Sequence, residues 1–209
     1  MGRFIDLDTW KRREHFKIYN ALAQPFWGIC TEVDVTRLWE RSRGTTGPSF
    51  SLGAIYLALV AVQETESFRL RLRADQVWLH DEVAMSTTVL RADDTFAFAL
   101  LPMANSLADF ESAARVELDI AKNRPELRTP REGQDDLIYH STIPWIRFTA
   151  FSNPVGQGDC IPRIVFGRAS TEGSRVRLPV SIEVHHALVD GLDVARFLER
   201  FERGLTSID

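Results

Sequence analysis

Three side chains able to hold or move a proton, His185, His186 and Asp190, lie close together in the run P-V-S-I-E-V-H-H-A-L-V-D-G over 179–191. A neutral imidazole in a dry setting can accept a proton near neutral pH, because desolvation disfavours its cation. Upstream, Val176, Leu178, Val180, Ile182 and Val184 alternate with Arg175, Arg177, Ser181 and Glu183, the period of a half-buried strand. Carried to the strand's end, the alternation sends His186 to the apolar side and His185 to the polar side, which makes His186 the better candidate base. Beyond Gly191 the period becomes helical, through Val194, Phe197, Leu198, Phe201 and Leu205. Asp190 therefore stands at an N-cap, where its carboxylate accepts first-turn N–H groups. Capping and a hydrogen-bonded histidine pair would explain these residues without chemistry. What favours chemistry is H-H-x-x-x-D-G at a strand-to-helix junction.

Other chemistries find less support. His185 and His186 are adjacent on a strand and point to opposite faces, and there is no H-E-x-x-H or paired-cysteine spacing, so no metal site is expected. No G-x-S-x-G elbow is present to carry a serine nucleophile.

Two further runs accompany the histidine pair: W-K-R-R-E-H-F over 10–16 and S-T-I-P-W-I-R-F over 141–148. In order and spacing the three resemble W-x-R-K-E-H-F, S-x-x-P-W-x-x-F and H-H-A-x-x-D-G of the chloramphenicol acetyltransferase family, and the similarity extends over about 4–205. The resemblance implies a two-layer α+β sandwich that assembles as a homotrimer with active sites at subunit interfaces. It implies acetyl-CoA as acetyl donor and direct transfer between two bound substrates. His186 would be the general base and Ser141 the oxyanion donor, while Asp190 and Arg12 would form a structural pair near the site. Tyr19, Phe96 and Phe151 match aromatic positions of the acceptor pocket.

Three positions depart from the family pattern. Val165 replaces a threonine that helps bind the intermediate through a water, Ala169 replaces an aromatic residue associated with the adenine of CoA, and Asp193 replaces a histidine. The expected activity is O-acetylation of chloramphenicol, with antibiotic resistance as the role. The alternatives are the same fold acting on a different small hydroxyl or amine compound, and a degenerate homologue that only binds a ligand. Dihydrolipoyl acyltransferases share a related H-x-x-x-D-G pattern, but their lipoyl and linker segments have no counterpart here.

The elements that must position these residues can be read from periodicity. A helix is expected from Thr9, capped by Asp8 and closed by Pro25, then a strand over 26–35 and a short helix over 37–43. The run 51–63 is apolar almost all round and reads as a helix packed on a sheet. Four strands are expected over 68–73, 77–80, 86–91 and 96–101, in antiparallel hairpins, followed by an amphipathic helix over 107–122 and a charged surface loop over 123–136. Strands over 146–152, 163–169 and 175–186 and a helix over 191–205 complete the chain. Strands interrupted by helices without regular alternation indicate α+β.

At 209 residues the chain suits one domain, taken as 1–209. Its formal net charge of −4 supplies no excess of cations for phosphates, so no nucleic-acid partner is expected. Arg41, Arg43, Arg69, Arg71 and Arg73 could still meet a phosphorylated cofactor, or simply form a solvated face. No run approaches the roughly 18 apolar residues that span a bilayer, and no signal peptide is visible, so the expected compartment is the cytoplasm with no membrane contact. There Cys30 and Cys160 would be free thiols.

Overall fold

The computed structural model describes residues 1–127 and 134–208. Strand β1 (Gly2–Phe4) precedes helix α1 (Arg13–Asn20), strand β2 (Phe26–Asp34) and helices α2 (Thr36–Ser42) and α3 (Phe50–Glu64). A 3-10 turn over Glu66–Arg69 leads into β3 (Leu70–Arg73), β4 (Gln76–His80), β5 (Ala84–Leu90) and β6 (Phe96–Leu101). Then come α4 (Leu107–Asn123), β7 (Leu137–Thr142), β8 (Arg163–Phe166), β9 (Ser170–Glu172), β10 (Arg175–His185) and α5 (Gly191–Ser207).

The main sheet runs β2-β10-β8-β7-β5-β6, with β9 paired to β10, and a smaller sheet runs β1-β4-β3. Strand β7 pairs in parallel with both β5 and β8, while β10 is antiparallel to β2 and β8. The mixed sheet with its helix layer is the expected α+β architecture. Leu178, Val180, Ile182 and Val184 of β10 belong to the same buried core as Ala58, Leu59 and Val62 of α3 and Val194, Phe197 and Phe201 of α5. Phe166 of β8 stacks on Phe201 at 5.8 Å, and Phe197 on Phe68 at 4.8 Å. Each such buried ring contributes about 2–3 kcal/mol of transfer free energy. Helix α3 is capped by Ser49, whose Oγ accepts from the Leu52 N–H, and α5 by Asp190.

Four expectations need correction. Residues 146–152 do not form a strand: Ile146 N–H closes a turn on the Ile143 carbonyl, and the strand lies earlier, at β7. Both faces of β7 are largely covered, so it lacks the alternation that reveals a half-exposed strand. Helix α1 starts at Arg13 rather than Thr9, and Asp8 is not its cap. Residues 6–9 instead close a side-chain turn in which Asp6 accepts from the Asp8 N–H and the Thr9 hydroxyl. Residues 68–69 belong to the 3-10 turn, with Phe68 fully buried. Lastly, Arg71 is neither solvated nor open to a ligand. It is completely buried and donates to the carbonyls of Phe68, Leu70, Asp135 and Leu137, tying β3 to the start of β7. Burial pulls its pKa down, with Cys160 and Asp135 opposing.

The two hairpins, β3–β4 and β5–β6, form as expected, and Cys30 and Cys160 are unpaired. Part of the charged loop, 128–133, lies outside the described residues. No helix among the described residues is long and apolar enough to cross a membrane.

Candidate active site

Strand β10 ends at His185, and the chain turns at once. The N–H groups of Leu188 and Val189 both reach the His185 carbonyl, while the His186 N–H donates to the Pro25 carbonyl at 2.8 Å. This pins His186 between the end of β10 and the start of β2. Its ring stacks on Tyr19 of α1, with centroids 3.8 Å apart, and lies 5.4 Å from the Trp27 ring. Trp27 pairs with Val184, so His186 follows the apolar, helix-facing side that the alternation indicated. Nδ1 is buried without a hydrogen-bond partner, which leaves Nε2 as the nitrogen that can meet a substrate.

Arg12 locks the turn. Its Nη1 donates to Asp190 Oδ2 and its Nη2 to the His186 carbonyl at 3.2 Å. Asp190 in turn accepts from the N–H groups of Leu192 and Asp193, and Asp193 returns a bond to the Asp190 N–H at 3.1 Å. This reciprocal capping box needs a side-chain acceptor at residue 193, which the Asp193 carboxylate supplies. That carboxylate also lies 3.7 Å from Arg12. Asp193 therefore has a local structural reason. Burial pushes the Asp190 carboxyl up, but the Asp193 N–H and the Arg12 guanidinium outweigh it and hold the pKa below the usual carboxylate range.

His185 is placed differently. It shares the opposite sheet face with Phe26 and is buried there at 3% exposure rather than solvated, beside a cavity of about 840 Å³ lined by Pro25, Gly156 and Asp159 among others. Its Nδ1 accepts from the Ala187 N–H, and burial lowers its pKa to about 4, against an opposing pull from Asp159.

Ser141 lies near the end of β7. Thr88 Oγ1 of β5 donates to Ser141 Oγ at 3.2 Å, so the serine's own proton remains free to donate elsewhere. Ser141 opens on a cavity of about 540 Å³ with Ser86, Thr88, Phe98, Tyr139, Arg163 and Val165 in its wall. Val165 is its cross-strand partner and is almost fully buried. The adjacent His140 faces the helix layer, with Nδ1 2.8 Å from Thr87 Oγ1 and Nε2 buried without a partner; burial lowers its pKa to about 3.

Within one chain Ser141 and His186 do not meet. Ser141 is opposite Val165, which is opposite Ser181, and His186 lies five residues farther along the chain. Two strand spacings and five residues of rise separate the Cα atoms by roughly 15–20 Å. Neither cavity is lined by His186. The three aromatic candidates are also dispersed. Tyr19 contacts His186, Phe151 packs against Phe148 at 5.4 Å, and Phe96 is half exposed on the edge strand β6, 5.5 Å from Phe98. Thr88, Arg163 and Trp27 were not apparent from sequence, because only the strand order places them beside Ser141 and His186. Among the described residues no group of three or more His, Cys, Asp or Glu could hold a metal ion.

The model of the chloramphenicol acetyltransferase family matches residues 3–202. Chloramphenicol acetyltransferase 2 of Escherichia coli is 31% identical over 203 residues, covering 95% of this chain and 94% of that protein. The chloramphenicol acetyltransferase of Streptomyces acrimycini is 28% identical, covering 95% of this chain and 91% of its own. A solved chloramphenicol acetyltransferase superposes with a TM-score of 0.91 at 26% identity, covering 98% of this chain and all of that one. A dihydrolipoamide acetyltransferase of Azotobacter vinelandii, at 17% identity, TM-score 0.67 and 93% and 86% coverage, shares the fold. With the family model spanning nearly its whole length, the chain belongs to the chloramphenicol acetyltransferase family.

Proposed function

We propose that the protein, working as one domain over 1–209, transfers an acetyl group from acetyl-CoA to a hydroxyl of chloramphenicol in the cytoplasm and so confers resistance. Membership of an acyltransferase family that uses acetyl-CoA is the ground for this reading. The single observation that carries the mechanism is the His186 turn, where Tyr19 stacking and the Arg12 bond to the His186 carbonyl fix the imidazole with Nε2 available. Nε2 removes the proton of the acceptor hydroxyl as its oxygen attacks the thioester carbonyl carbon. The oxyanion of the tetrahedral intermediate accepts a hydrogen bond from Ser141 Oγ, whose lone pair is engaged by Thr88. Collapse re-forms the carbonyl, breaks the C–S bond and returns the proton from His186 to the departing CoA thiolate.

The separation of Ser141 from His186 supports a site completed by a second copy. We take the assembly to be a homotrimer, with His186 of one protomer facing Ser141 of its neighbour. The test follows thiol release from acetyl-CoA with a thiol-reactive dye, with and without chloramphenicol. Chloramphenicol-dependent release that falls by at least ~10²-fold in His186→Ala supports the reading. Full activity in that variant removes His186 as the base. Tight acetyl-CoA binding without chloramphenicol-dependent release moves the acceptor to another small hydroxyl or amine compound.

A further inference from the structure

Arg163 opens strand β8 and is only 5% exposed, yet it forms part of the wall of the cavity at Ser141. It pairs with Tyr139, two residues before Ser141 on the parallel strand β7. The two side chains thus share a sheet face, with Cα atoms roughly 8 Å apart. The guanidinium is held rigidly. It lies over the Phe26 ring at 4.7 Å and the Tyr139 ring at 5.5 Å, Nη2 donates to Asp159 Oδ2 at 2.5 Å, and Nη1 donates to the Ile161 carbonyl at 3.1 Å.

A guanidinium carries five N–H groups, and these bonds use two of them. No other acceptor among the described residues takes the remaining three. Arg163 lines the cavity, so an acceptor atom of a ligand can take these N–H groups in place of water. The charge, by contrast, is already balanced by Asp159. An anionic ligand would contest Asp159 for the cation, whereas a neutral oxygen adds an acceptor without unbalancing the pair.

We infer that Arg163 is a specificity-determining residue of the acceptor cavity, and that it selects a neutral acceptor carrying a second oxygen several ångströms from the reacting hydroxyl. An amide carbonyl, a nitro group or a further hydroxyl meets this description; a purely hydrocarbon alcohol or a hydroxy acid does not. The inference rests on the acyltransferase reading above for its assumption that the acceptor hydroxyl lies at Ser141.

Calorimetric titration separates the two. The ligands are chloramphenicol, a phenylalkanol of similar size with a single oxygen, and a phenyl-substituted hydroxy acid. The proteins are the intact chain, Arg163→Met and the double variant Arg163→Met/Asp159→Asn, which leaves no carboxylate stranded; thermal melting checks that each is folded. The intact protein is expected to bind chloramphenicol at least about tenfold more tightly than either comparison ligand, the equivalent of one hydrogen bond to a charged group. Both variants are expected to lose that preference while keeping the same affinity for the phenylalkanol and for acetyl-CoA. An unchanged preference in the variants, no preference in the intact protein, or tightest binding of the hydroxy acid overturns the inference. Thiol release is read in the same samples. If the binding preference follows Arg163 but no thiol is released, the catalytic reading fails and the selectivity stands. Release with the same chloramphenicol KM in all three proteins leaves catalysis standing and removes the role of Arg163.

Discussion

Arg12 is a positioning residue in the proposed mechanism, holding the turn of the base without itself moving a proton. Its two terminal nitrogens hold Asp190 and the His186 carbonyl at once, joining the residue before α1 to the turn before α5. The planar fork can span both acceptors, whereas a lysine ammonium on a flexible stem cannot reproduce both directions. Arg12→Lys is therefore expected to keep most of the thermal stability but to lower kcat about tenfold, since small displacements of a base are costly in rate. Arg12→Ala should lower both, by about 2 kcal/mol in stability, because Asp190 is left with the cap alone. Denaturant unfolding and steady-state thiol release measure the two effects. Equal kcat in Arg12→Lys and the native protein would mean that the imidazole is held by Tyr19 stacking without the guanidinium.

At the scale of elements, β7 and β10 each carry a histidine on a buried face, and neither is the proposed base. His140 of β7 and His185 of β10 are held neutral, with pKa values lowered by burial to about 3 and about 4. In the unfolded chain both titrate near the ordinary value of about 6.5. Their folded pKa values are depressed, so stability is fully present above about 6.5 and is lost as pH falls towards the folded values, because the unfolded chain then binds more protons. Between pH 7.5 and 5 this amounts to about 2 kcal/mol for each histidine. Urea unfolding across that range should show the decline, and His140→Gln, which can still bond Thr87, should flatten it by about one proton. A slope unchanged in His140→Gln would show that folding does not alter proton binding at His140 and would remove its share of the decline.

Strand geometry keeps the proposed base, His186, and the proposed oxyanion donor, Ser141, roughly 15–20 Å apart within a chain. If each site takes His186 from one protomer and Ser141 from the next, two inactive variants can complement one another. Mixed refolding of equal amounts of His186→Ala and Ser141→Ala is expected to restore about a quarter of native activity, the random-assembly share of interfaces that carry both native residues. Each variant alone should fall by at least ~10²-fold. Sedimentation should give the mass of three chains. A single-chain mass, or a mixture no more active than its components, would rule out a shared site.

Most of the architecture could be read before any coordinates, because its elements carry strong local signals. The alternation through Val184 leads into the face of His186, and the helical period after Gly191, with Asp190 as cap, marks α5; both appear where periodicity put them. The three runs containing Arg12, Ser141 and His186 were enough to indicate the family. Strand β7 escaped detection for the opposite reason: burial between two parallel neighbours removes the alternation that exposes a strand to view. The buried carbonyl-bound role of Arg71 was equally hidden, since an arginine in an alternating strand looks solvated unless its partners on distant segments are known. The same holds for Thr88 and Arg163 beside Ser141. Residue spacing along a chain reports which face of its own element a side chain occupies, while strand order decides which elements become neighbours. The cavity proposed for the acceptor is walled by residues from β5, β7 and β8, so it emerges only when the sheet is assembled.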